Sequence, residues 1–76
     1  MNMTLTQDTS KPREDNKDLL DILGREFEEY FDGFGFDSET KCKDFFFYNV
    51  PEEFVDVARS RLTNYHSLSM RVRACN

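Results

Sequence analysis

Arg71 and Arg73 stand one residue apart near the chain's end, in Leu68-Ser-Met-Arg-Val-Arg-Ala-Cys75. Polar and apolar residues alternate there, which reads as a strand, so both guanidinium groups leave one face roughly 7 Å apart. Held on a rigid element, each can grip a carboxylate through two parallel hydrogen bonds. The same charges would also serve to blunt an open sheet edge, or to pair with acidic residues of an earlier helix.

The other reactive side chains assemble no chemistry. His66 is single, in the turn Asn64-Tyr65-His66, with no cysteine or carboxylate at ligand spacing. Asp32, Asp37 and Asp44 have no nucleophile to work with and read as solvated charges. Ser67 and Ser69 lack the Gly-x-Ser-x-Gly context of an activated serine. Gly33-Phe34-Gly35 lacks the rest of a phosphate-binding fingerprint. Cys42 and Cys75 fit neither zinc spacing nor C-x-x-C, and Cys75 is penultimate, so no prenylation box exists. No catalytic residue, metal or cofactor is expected, and the chain does not read as an enzyme. Asp18, Asp21, Glu28 and Glu29 form an acidic set on a predicted helix. That set reads first as a solvated face, and alternatively as a mimic of DNA phosphates.

The elements that must position the arginines can be read from periodicity. Met1, Met3 and Leu5 alternate with polar residues, so Met1–Thr6 is either a short edge strand or a frayed end; Gln7–Glu14 reads as a linker. Asp15 or Asn16 can cap a helix running to about Phe31, with Leu19, Leu20, Leu23, Phe27, Tyr30 and Phe31 on one face. Gly24 is costly inside it and Gly33 suits its end. Asp32–Asp37 then reads as a loop that tucks Phe34 and Phe36 under the helix. Cys42–Tyr48 reads as a strand with Phe45 and Phe47 on one face, Phe46 and Tyr48 on the other. Such a strand is either central and covered on both faces or carries one sticky surface, and the small size favours cover.

Asn49 and Glu52 have capping-box spacing ahead of a second helix whose buried stripe is Phe54, Val55, Ala58, Leu62 and Tyr65. Glu52 and Glu53 suit its positive start, and Arg59 and Arg61 its negative end. In the last strand Leu68, Met70, Val72 and Ala74 face one way; Ser67, Ser69, Arg71, Arg73 and Cys75 face the other. Strand, helix, strand implies a crossover and a neighbouring parallel pair. The expected fold is therefore α+β: a sheet of two to three strands, two helices, and a strand-helix-strand unit at the C-terminal end. Residues 1–14 would form an arm or edge strand plus linker, and residues 15–76 one small domain.

With 76 residues the core must be dense, and eight phenylalanines and three tyrosines supply it. The formal charge is −5 and the sequence pI about 4.7. Phosphate backbones repel such a surface, so nucleic acid is not expected as a direct ligand, whereas a protein partner is. The start has no signal-peptide pattern and no stretch could span a bilayer, which leaves a cytoplasmic protein, monomeric or weakly dimeric, as the expectation. Besides the arginines, Phe46 and Tyr48 are candidate contact residues; the same pair would serve an oligomerisation module.

From Asp44 to Cys75 the chain resembles a known family, the small early inhibitors of host RNA polymerase from short-tailed coliphages. Those proteins have a strand ending in tyrosine, here Tyr48. Their helix opens with acidic residues, here Glu52 and Glu53, and has an alanine at the place of Ala58. Their last strand closes with Arg-Val-Arg-x-Cys, here Arg71-Val72-Arg73-Ala74-Cys75. The resemblance covers a little under half the chain. It implies that Arg71 and Arg73 anchor the protein to the jaw of the polymerase's largest subunit and that open promoter complexes fail to form. The family also has a β-hairpin before its helix, where Asp15–Phe31 reads here as a helix, and its Pro-Ala-Gly turn is replaced by Asn64-Tyr65-His66.

Overall fold

The computed structural model describes residues 1–10 and 19–74. Along the chain run β1 (Asn2–Asp8), α1 (Leu19–Leu23), a 3₁₀ helix (Arg25–Tyr30), β2 (Phe31–Asp37), β3 (Cys42–Phe47), α2 (Glu52–Leu62) and β4 (Leu68–Arg73). The fold is α+β, with one antiparallel sheet in the order β2-β3-β1-β4. With α1 and the 3₁₀ helix taken as one helical segment, this is the β-α-β-β-α-β, or split β-α-β, arrangement. The expected caps Asp15 and Asn16, the acidic residue Asp18 and Cys75 lie outside the described residues.

Four strands replace the two or three expected, because β1 is a full strand of the sheet and the expected loop over Asp32–Asp37 is a strand as well. β1 is central, and extends through Gln7 and Asp8 rather than giving way to a linker. It pairs antiparallel with β3 on one side (Met3 opposite Phe47, Leu5 opposite Phe45) and with β4 on the other (Met3 opposite Val72, Leu5 opposite Met70). Strands β3 and β4 therefore run in the same direction but are separated by β1, so they are not the neighbouring pair that strand-helix-strand suggested. The driving force is visible in the burial: Met3 and Leu5 are 1% and 0% exposed. A strand that buries its apolar face and satisfies the backbone on both edges belongs in the middle of a sheet.

The predicted loop over Asp32–Asp37 is β2, and the turn lies further on. Asp37 Oδ1 accepts hydrogen bonds from the backbone N–H groups of Glu39 (2.9 Å) and Thr40 (3.4 Å), and Lys41 adopts φ 60°. This Asx turn, rather than the glycines, reverses the chain into β3. The register shifts between Phe31 and Gly33, and Gly33 adopts φ 150°, which only glycine takes without strain.

The long first helix stops at Leu23. Gly24 has φ 113°, its N–H bonds the carbonyl of Leu20 (2.8 Å), and the chain restarts as a 3₁₀ helix. The apolar stripe nevertheless holds as far as Tyr30: Leu23 and Phe27 are fully buried and Leu19, Leu20 and Tyr30 pack around them, while Phe31 passes into β2. Phe27 meets Phe54 of α2 at 5.4 Å between ring centroids, and Tyr30 meets it edge-on at 5.7 Å. Val55, Ala58 and Leu62 of α2 complete the core over Phe47 and Val50. Asn49 is not the helix cap. It takes φ 57° and its N–H bonds the side chain of Asn2, while Pro51 precedes the first turn without a side-chain cap.

Candidate open-face site

The described helices lie on the Phe45/Phe47 side of the sheet, and among the described residues no helix covers the other side. Its geometry follows from register. Thr4 of β1 faces Phe46 of β3 on one flank and Arg71 of β4 on the other, and Asn2 faces Arg73. Cross-strand partners share a face. Asn2, Thr4, Phe46, Tyr48, Arg71 and Arg73 consequently line one shallow groove of about 310 Å³. All four residues singled out as partner contacts, Arg71, Arg73, Phe46 and Tyr48, meet there. Their convergence depends on β1, which the sequence reading had left at an edge or frayed.

Phe46 is half-buried and Tyr48 is 45% exposed, so β3 is covered on one face rather than two. The aromatic groups are held firmly: Tyr48 N–H donates to the carbonyl of Tyr30 (2.9 Å), and Val50 N–H to that of Met1 (2.8 Å). Gly33 and Gly35 of β2 fall on the open face beside Phe46 and leave its ring without a shielding side chain. At the far end of this face, Thr6 donates to Asp44 Oδ1 (2.6 Å), which occupies that carboxylate locally.

The electrostatics distinguish the two groove arginines from the others. Arg25 pairs with Asp21 (3.6 Å), Arg59 with Asp56 (3.6 Å) and Arg61 with Glu26 (3.2 Å). Arg61 also donates to the carbonyl of Leu23, closing the end of α1. Among the described residues, Arg71 and Arg73 have no ion-pair partner. Among the described residues the first helix offers them no partner, since α1 packs on the opposite side of the sheet.

The described members of the acidic set stand on two helical segments. Asp21 sits on α1 beside Arg25, whereas Glu28 and Glu29 sit on the 3₁₀ helix beyond Gly24, on a shallow surface shared with Arg25, Glu26 and Phe54. They do not share one helix face. Glu29 also holds the Tyr30 phenol above its usual pKa through a hydrogen bond, with burial adding to the effect.

Of the remaining reactive groups, His66 is exposed in the turn before β4, Ser69 is exposed, and Ser67 is buried rather than a surface strand residue. Cys42 is a free thiol. It lies opposite Asp8, whereas Arg73 lies opposite Asn2, at the other end of β1. Among the described residues no cluster of three or more histidine, cysteine, aspartate or glutamate side chains could hold a metal ion, and no helix is long and apolar enough to cross a membrane. No protein-family model, curated protein or solved structure matches the chain.

Proposed function

We propose that this chain is a small protein-binding inhibitor, phage-encoded, that docks the open face of its sheet onto an acidic protein surface of a host nucleic-acid enzyme. Bacterial RNA polymerase is the leading target, in the host cytoplasm. The observation that carries the reading is that Arg71 and Arg73 have no ion-pair partner among the described residues and stand beside two accessible aromatic rings. Arginine and tyrosine are the residues that most often dominate binding energy at protein interfaces. Two guanidinium groups facing solvent from a net acidic molecule select a partner with carboxylates and disfavour binding elsewhere on the chain.

The hairpin adds support. The polymerase-inhibitor family carries a β-hairpin, then a helix, then the Arg-Val-Arg strand. The same order runs here through β2, β3, α2 and β4, where the sequence alone read a loop over Asp32–Asp37 ahead of the strand, although a helical segment still precedes β2. The acidic character of the rest of the molecule repels DNA, which fits an inhibitor that occupies protein surface near a DNA path.

Promoter-dependent transcription by the holoenzyme tests the proposal. Wild-type protein should inhibit it, and Arg71→Glu/Arg73→Glu should not, while Asp21→Asn/Glu28→Gln/Glu29→Gln should inhibit as wild type does. Inhibition lost only in the acidic-set variant would replace this reading with acidic DNA mimicry aimed at a nuclease or CRISPR complex.

A further inference from the structure

The two most exposed rings, Phe34 and Phe36, are not in the groove. Phe31, Phe34 and Phe36 of β2 are 39%, 63% and 58% exposed. Phe31 is opposite Phe47, Phe34 opposite Phe45 and Phe36 opposite Lys43, so all three rings lie on the helix-bearing side of the sheet. Phe31 meets Phe47 at 5.4 Å and Phe34 meets Phe45 at 6.4 Å, and the strip runs on into a cavity of about 170 Å³ lined by Leu19, Leu20, Phe31, Phe45 and Phe47.

β2 is also an outer strand of the sheet. The opposite outer strand, β4, is blunted by Arg71 and Arg73, but β2 has neither lysine, arginine nor proline. Lys43 belongs to β3 and lies over the Phe34 and Phe45 rings, 4.5 and 5.2 Å from their centroids, so it does not guard the edge. On the open face, Gly33 and Gly35 present no side chain to an incoming strand.

We infer that β2 is a self-association edge, at which a second copy of this chain pairs antiparallel through its own β2. The strand Phe31-Asp-Gly-Phe-Gly-Phe-Asp37 is self-complementary. Pairing about a two-fold axis at Gly35 sets Phe34 opposite Phe36 of the second copy, twice, and places no aspartate opposite an aspartate. Aromatic cross-strand pairs stabilise a sheet and opposed like charges destabilise it. A two-fold perpendicular to the sheet keeps like faces together, so the two phenylalanine strips become one. The exposed ring area is about 300 Å² per copy, given roughly 150–250 Å² for each fully buried ring. Two copies together therefore bury at most about 600 Å² of ring surface, below the roughly 1,200 Å² of specific stable interfaces before the strand ladder is counted, which predicts a weak dimer. The resulting eight-stranded sheet carries both arginine grooves on its open side.

Sedimentation equilibrium of the full chain from about 5 to about 500 µM, the range in which interfaces of this size dissociate, tests the inference. The wild type should dimerise, and Phe34→Lys and Phe36→Lys should each weaken dimerisation at least tenfold with unchanged melting temperatures. Arg71→Glu/Arg73→Glu should dimerise as the wild type does, which separates this surface from the groove. A monomer at every concentration would overturn the inference. So would a dimer insensitive to the lysine variants, or one lost in Phe46→Ser, which would move self-contact to the open face. A monomer whose β2 amides become protected only on adding polymerase would assign the strip to the foreign partner instead.

Discussion

Arg71 and Arg73 were legible as a pair because alternation in Ser69–Arg73 puts both on one face whatever the fold. Their neighbours were not. Phe46 is 25 residues away in sequence and reaches the same groove only because Thr4 stands between them, opposite both. Bidentate geometry at the groove gives a specific expectation: Arg71→Lys/Arg73→Lys keeps the charge but should lose about tenfold in affinity for the partner, because an ammonium cannot form the paired hydrogen bonds. Titration calorimetry against the partner checks it, with equal affinity as the contrary result. Gly24 is a second residue whose role is backbone geometry. Gly24→Ala, at φ 113°, should destabilise the protein by about 1–3 kcal/mol in denaturant unfolding, the cost of a strained backbone.

Among the elements, α2 and β4 were read correctly because their periodicity is local and strong: Val55, Ala58 and Leu62 are buried as expected, and Leu68, Met70 and Val72 pack beneath β4. β2 was missed since Gly33 and Gly35 resemble a turn, while the reversal is made by the Asp37 side chain and the left-handed Lys41. β1 was undervalued because strand position depends on partners 34 to 71 residues away, which alternation cannot reveal. Its central place makes it indispensable. Leu5→Ala should cost about 2–5 kcal/mol, as for other fully buried leucines, and thermal unfolding monitored by circular dichroism should show a large fall in Tm.

The 3₁₀ helix carries the pH-sensitive element. Tyr30 has its pKa raised from 10.0, chiefly by its hydrogen bond with Glu29. The folded state holds that proton more tightly than the unfolded state, so the contribution is complete below pH 10 and is lost as pH rises through the folded-state pKa. Denaturant midpoints should accordingly fall above pH 10, and Tyr30→Phe should remove that part of the decline.

At the scale of the whole molecule, one sheet separates two surfaces of opposite chemistry. Its helix-bearing side is acidic along α1, the 3₁₀ helix and the start of α2, and its open side presents two cations, without an ion-pair partner among the described residues, next to aromatic rings. That partition could not be read from a net charge of −5, which describes the chain and not its faces. A contact made by Arg71 and Arg73 with carboxylates should weaken as salt screens it, although most of the effect of removing desolvated arginines should persist. The decisive measurement is the equilibrium affinity of bacterial RNA polymerase holoenzyme for the wild-type chain and for Arg71→Glu/Arg73→Glu, with melting temperatures recorded alongside. The account predicts binding by the wild type and a loss of about 100-fold or more in the variant at unchanged Tm, since each buried arginine contact contributes about 2 kcal/mol. Equal affinity of the two proteins, or no binding by either, would contradict it.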